Sequence, residues 1–153
     1  MNPLSSSQKK VLRARGFILA GGLLAAALLA EAALASKSSM PIGLVAAVAL
    51  LLGAVLVLVL PERRYRAWGY DATSDELYVQ NGIWLQTLTV VPFGRVQHID
   101  VSQGPLERRY GVGALTLHTA GTRASAVVLP GLDMADAERM RDEIRGKIRQ
   151  DLV

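Results

Sequence analysis

The sequence contains no cysteine, and this removes three chemistries at once: a disulfide framework, a thiol nucleophile and a zinc–cysteine site. Histidine is scarce too. His98 and His118 are the only two, and neither belongs to a nucleophile-elbow or zincin spacing. A concentrated basic face is also missing. Of 17 basic and 13 acidic residues, five basic and one acidic precede Pro61, so the net charge of +4 belongs to the N-terminal part and twelve of each sign remain beyond it. A neutral C-terminal region argues against contact with a phosphate backbone, and nucleic acid is not an expected partner. The composition shows no bias toward disorder or collagen-like repeats, and 153 residues suit one compact domain with an accessory element.

Apolar sequence is abundant instead. Residues 17–35 and 41–60 form nearly unbroken apolar runs of 19 and 20 residues, each about 30 Å long as a helix. Residues 36–40 separate them, and Pro41 suits a first helical turn because its missing N–H would have no partner there. The expectation is a transmembrane hairpin over 17–60 after a basic N-terminal segment, 1–16. Small residues at four-residue intervals, Gly22, Ala26 and Ala30 in the first span and Ala49 and Gly53 in the second, are expected at the helix contact.

Basic residues orient the hairpin. Lys9, Lys10, Arg13 and Arg15 precede the first span and Arg63, Arg64 and Arg66 follow the second, against Lys37 alone between them. Both termini are therefore expected on the cytoplasmic side of an inner membrane. A rival reading takes the first run as a signal peptide cleaved after Ala33-Leu34-Ala35; the second span and its arginines would still hold the C-terminal domain inside. Glu31, near the outer end of its run, is expected to reach the headgroups. Tyr65 and Trp68 are candidate anchors at the membrane interface beside the three arginines, with packing of Trp68 in a core as the alternative.

Over 61–153 the periodicity is that of short strands, expected over 67–72, 76–80, 83–91, 96–102, 114–119 and 125–129. Asn81-Gly82 predicts a two-residue type I′ hairpin, since both residues tolerate positive φ. Pro92 should end the third strand, and Pro130-Gly131 the last. Residues 106–110 suit one helical turn, and Ala120-Gly121-Thr122-Arg123 another hairpin turn. Asp133 then caps a helix running to about Gln150, with Arg145, Lys147 and Arg149 complementing its C-terminal end. Ala137, Met140, Ile144 and Ile148 give it one apolar stripe. These elements suggest a small sandwich or open barrel covered by the helix.

Several motifs in order carry a resemblance. Val91-Pro92, Arg95-Val96-Gln97-His98-Ile99-Asp100, Gln103-Gly104-Pro105-Leu106, Arg109-Tyr110-Gly111, Thr119-Ala120-Gly121 and Leu129-Pro130-Gly131-Leu132 resemble the bacterial pleckstrin-homology-like (PH-like) domain of YdbS-like membrane proteins, formerly of unknown function. The resemblance covers the whole chain, since such proteins place two spans directly before the domain. It implies a curved antiparallel barrel capped by a C-terminal helix, with seven strands where six are read above. It implies no catalytic activity and no cofactor, but a subunit of a membrane assembly, partnered by a larger relative bearing several such domains. One departure stands out. Many relatives carry arginines in and after the hairpin that here reads Gln80-Asn81-Gly82-Ile83-Trp84-Leu85-Gln86-Thr87, which weakens the analogy with PH domains that grip acidic headgroups.

Among polar positions, Arg95, Gln97, Asp100, Gln103, the Gly104-Pro105 turn and Arg109 form the candidate interaction surface. Their structural reading is satisfaction of backbone groups, with pairing of Arg95 and Asp100 or of Arg109 and Glu107; their functional reading is contact with another subunit. An alternative function is a sensor of anionic lipid headgroups, carried by Arg63, Arg64 and Arg66. A third reading assembles His98, Asp100 and His118, with Ser102 or Ser125, into a metal site or hydrolase triad. Strand alternation, which places His98 and Asp100 on one face, is its only geometric support.

Overall fold

The computed structural model describes residues 1–34, 41, 43–120 and 126–150. The expected turn at Gly121-Thr122-Arg123, Ser125, and the connecting residues 35–40 with Lys37 and the proposed cleavage point lie outside them. Two compact units divide the chain: Lys9–Arg63, and Met1–Gln8 together with Arg64–Val153.

The first unit is helical. Helix α1 spans Ser7–Leu34 and α2 spans Leu44–Arg66, both long and apolar enough to cross a bilayer. α2 runs past the expected end at residue 60 because Pro61 does not break it. Val55–Val59 forms a π-helical turn in which the N–H of Leu60 reaches back five residues to the Val55 carbonyl, and Pro61, with no N–H to give, follows this widened turn.

Ala49 and Gly53 lie buried in the helix contact, but Gly22, Ala26 and Ala30 are exposed. The face that α1 presents is that of Gly16, Ala20 and Ala27. A Cβ on Gly16 would stand 2.6 Å from the Leu56 carbonyl oxygen, and one on Gly53 would stand 3.1 Å from Cβ of Ala20. Small residues recur around α1, and at about 100° per residue Gly22 lies on the far side from Ala20. The closest backbone approach therefore selects the stripe that begins at Gly16. Glu31, near the outer end of α1, has a partner across the hairpin. Its carboxylate accepts the backbone N–H of Gly43 at the start of α2, a favourable place for negative charge.

In the second unit, β1 (Gly69–Ala72), β2 (Glu76–Asn81) and β3 (Thr87–Pro92) form one antiparallel sheet, and β4 (Val96–Ser102), β5 (Val112–Thr119) and β6 (Ala126–Asp133) form another. A 3-10 turn, Phe93–Arg95, joins the sheets, α3 (Pro105–Arg109) lies between β4 and β5, and α4 (Met134–Gln150) follows β6. Apolar residues of both sheets, among them Leu77, Val91, Leu115 and Leu129, form one core with Ala137 and Ile144 of α4. No strand pairing joins the sheets among the described residues, so the expected barrel is not closed.

The N-terminal arm occupies the side where closure would occur. Asn2 and Tyr70 of β1 exchange backbone hydrogen bonds of 2.6 and 3.0 Å, and the N–H of Ser5 donates to Gly131 of β6 at 2.8 Å. Leu4 between them is 3% exposed and belongs to the core. The Tyr65 hydroxyl donates to its carbonyl at 2.7 Å. Residues 1–16 are thus not one separate segment: the first eight belong to the domain because Leu4 buries its side chain there. Gly131 has φ +71°, and a Cβ on it would lie 2.5 Å from Cγ of Gln8.

Strand boundaries also differ from expectation: β1 starts at Gly69 rather than 67 and β5 at Val112 rather than 114. β6 continues through Pro130-Gly131, which is tolerable because β6 is a sheet edge and its register with β5 shifts between Gly113 and Leu115. The Asn81-Gly82 turn is not a two-residue loop: Asn81 pairs with Thr87, leaving Gly82 to Gln86 as the loop. A two-residue turn would put Trp84 opposite Val79 and Gln86 opposite Leu77. The observed register sets Val91 opposite Leu77, both at most 2% exposed. Core burial outweighs local turn preference here.

Candidate interaction surfaces

The polar positions around β4 do different jobs. Gln103 donates from Nε2 to the Val112 carbonyl at 2.9 Å, fixing the loop that follows β4. Gly104 precedes α3 and lets Glu107 fold over it, since a Cβ there would meet the Glu107 carboxylate at 2.5 Å. Pro105 occupies the first turn of α3, where its missing N–H costs nothing. Arg95, Gln97 and Arg109 are exposed, with Gln97 at the irregular register between Val96 and His98.

Asp100 takes histidines rather than Arg95 as partners. His98 and His118 lie directly opposite each other on β4 and β5, and their Nε2 atoms stand 2.8 and 3.1 Å from the two Asp100 oxygens. His98 and Asp100 alternate onto one face, whereas Arg95 sits in the turn beyond the irregularity. A hydrolase triad needs the carboxylate at Nδ1 and the nucleophile at Nε2; here the carboxylate occupies the Nε2 side of both rings. Among the described residues no three His, Cys, Asp or Glu side chains are placed to hold a metal ion. The trio is well solvated, with side chains 68%, 51% and 41% exposed for His98, Asp100 and His118, so these contacts contribute little stability.

At the end of α2 and just beyond it, Tyr65, Trp68 and Tyr70 are partly buried against the domain core, which is the setting the core-packing reading gave Trp68. Burial raises the Tyr70 phenol pKa above 10.0, with Asp136 and Asp133 adding to the shift. Arg63, Arg64 and Arg66 remain exposed at the end of α2.

A further surface was not read from the sequence. In the loop after β2, Trp84 is 92% and Leu85 80% exposed, and the apolar stripe continues through Ile83 to Leu88 and Val90 of β3. Gly82 shapes this tip: its φ is +116°, and a Cβ would fall 1.8 Å from the Leu85 carbonyl oxygen. One signal was available in the sequence. No charged residue occurs between Glu76 and Arg95.

Comparison with known proteins agrees with this architecture. The family described as Bacterial PH domain matches residues 17–148, which take in most of α1, all of α2 and the domain from β1 to near the end of α4. The chain is 40% identical over 102 residues to the UPF0699 transmembrane protein YdbS of Bacillus subtilis (strain 168), covering 67% of this chain and 62% of the relative. The chain thus spans less than two thirds of the length of that relative. No solved structure matches. Two apolar helices leading into paired antiparallel sheets and a C-terminal helix, together with these matches, place the chain in the bacterial PH-domain family as a YdbS-like membrane protein.

Proposed function

We propose that the protein is a non-enzymatic interaction module, held by its helical hairpin at the cytoplasmic face of the bacterial inner membrane as a subunit of a membrane assembly. The observation that carries this reading is the composition of the domain itself. Residues before α1 and residues after α2 fold into one unit, so a retained hairpin ties the domain to one membrane face with almost no linker. The basic residues at 9–15 and 63–66 favour the cytoplasmic face. The exposed positions Arg95, Gln97 and Arg109 are suited to a polar contact, and a larger relative with several PH-like domains is the expected partner.

Gentle-detergent purification of the full chain from its native membranes tests this. A membrane protein should co-purify in fixed stoichiometry and be lost when Arg95, Gln97 and Arg109 are changed together to alanine. Recovery of the chain alone, with no cross-linked partner in intact membranes, would contradict the reading. Sensing of anionic lipid is the second reading, favoured by the exposure of Arg63, Arg64 and Arg66 at the end of α2, each worth about 1 kcal/mol beside anionic headgroups. Reversing their charge should then abolish any response to anionic lipid, whereas a partner contact through Arg95 and Arg109 would survive.

A further inference from the structure

We infer that the β2–β3 tip, Ile83-Trp84-Leu85, is an apolar wedge that enters the headgroup–acyl boundary of the lipid bilayer. Three observations converge. The tip exposes Trp84 and Leu85 almost completely, a state that in water marks an interaction site when the apolar residues are contiguous. Its polar flanks, Gln80, Asn81, Gln86 and Thr87, carry no charge, so no ionised side chain has to be desolvated when the tip enters the boundary, and tryptophan is favoured at the membrane–water boundary. Last, a bilayer is within reach of this domain. α2 ends at Arg66 and β1 begins at Gly69, while the arm that pairs with β1 runs into α1 at Ser7; two residues of linker span less than about 10 Å even when extended.

The shape and size of the patch favour lipid over a protein partner. It is a convex loop tip with a short continuation on one strand, five apolar side chains in all. A stable protein interface takes about 20–30 residues from each partner. The fold also spends a glycine on this conformation. Gly82 holds a φ that other residues avoid, bringing the Leu85 carbonyl over its own Cα and turning the following side chains outward. Because the tip has no basic residue, insertion does not depend on anionic lipid, which separates this role from headgroup sensing by Arg63, Arg64 and Arg66.

The test uses the full chain reconstituted in vesicles of phosphatidylcholine alone and of phosphatidylcholine with phosphatidylglycerol. Trp68→Phe leaves Trp84 as the only tryptophan. Because the chain lacks cysteine, Leu85→Cys with a polarity-sensitive label gives the same readout with both tryptophans kept, should Trp68→Phe disturb the core. A label at Asp142→Cys, exposed on α4, is the reference. Lipids brominated near the carbonyl end should quench the tip severalfold more than the reference, aqueous acrylamide should quench it severalfold less, and the two vesicle compositions should agree. Three results would each overturn the proposal: full access to acrylamide without lipid quenching, shielding from both quenchers as in a protein contact, or lipid quenching confined to anionic vesicles.

Discussion

The first sheet uses apolar residues in opposite ways at its β1 edge and at its β2–β3 tip. At the β1 edge, Leu4 from the N-terminal arm and Trp68, just before β1, pack onto the core. At the tip joining β2 to β3, Trp84 and Leu85 stand almost wholly exposed. Side chains of the same type thus complete the fold at the edge and remain available for contact at the tip. The difference lies in what the backbone offers. The β1 edge has unpaired backbone groups that Asn2 satisfies on both sides, whereas the tip is closed on itself by Gly82 and leaves its side chains outside.

The largest expected effect would break this contrast at its buried end. Leu4→Ala should cost about 2–4 kcal/mol, as for other fully buried leucines, and Leu4→Asp should unfold the domain. Trp84→Ala in the same denaturation assay should change stability by no more than about 0.5 kcal/mol. Equal losses at Leu4 and Trp84 would mean that the edge and the tip do not differ. Gly131→Ala should cost about 1–3 kcal/mol, because it meets both a positive φ and the Gln8 side chain beneath the arm. Hydrogen exchange localised to residues 1–8 and β6 would report it.

How much of this was legible in the sequence follows from the physics of each element. Long apolar runs and the amphipathic stripe of α4 depend on local composition, and they were read close to their observed positions. The motifs around Arg95, Gln103 and Gly131 carried the family resemblance. What failed depended on distant partners. The Asn81-Gly82 turn lost to a register set by Leu77 and Val91. The arm was illegible because Leu4 is one apolar residue in a polar stretch, and only its meeting with Tyr70 and Gly131 gives it a role. Asp100 shows both outcomes: its pairing with Arg95 failed, whereas the grouping of His98, Asp100 and His118 holds although His118 is eighteen residues away in sequence.

Within the hairpin, the choice of stripe on α1 can be sharpened by substitution. Gly53→Leu should lose about 1–3 kcal/mol of helix pairing through overpacking against Ala20. Gly22→Leu, on an open face, should be close to neutral. Thermal aggregation of the detergent-solubilised chain would rank the two.

The smallest expected effect concerns Tyr70, beside the arm. Because its folded pKa is raised, the neutral phenol is the form that folding favours. Its contribution to stability is complete below the ordinary value of 10.0 and is lost as pH rises through the folded value. An ultraviolet titration of the phenols should find Tyr70 ionising after that ordinary value, and a Tyr70 ionising at or below 10.0 would deny its burial.

Pairing of the arm with β1 tests the central claim most directly. The cysteine-free chain permits a clean version: Asn2→Cys combined with Tyr70→Cys in protein made and kept in its native membrane. Because these residues are hydrogen-bonded neighbours across antiparallel strands, their Cα separation suits a disulfide. Mild oxidation should give one intramolecular bond in most molecules, seen as the loss of two hydrogens in the intact mass. A mature chain lacking residue 2, or two free thiols that label from opposite sides of the membrane, would contradict the account.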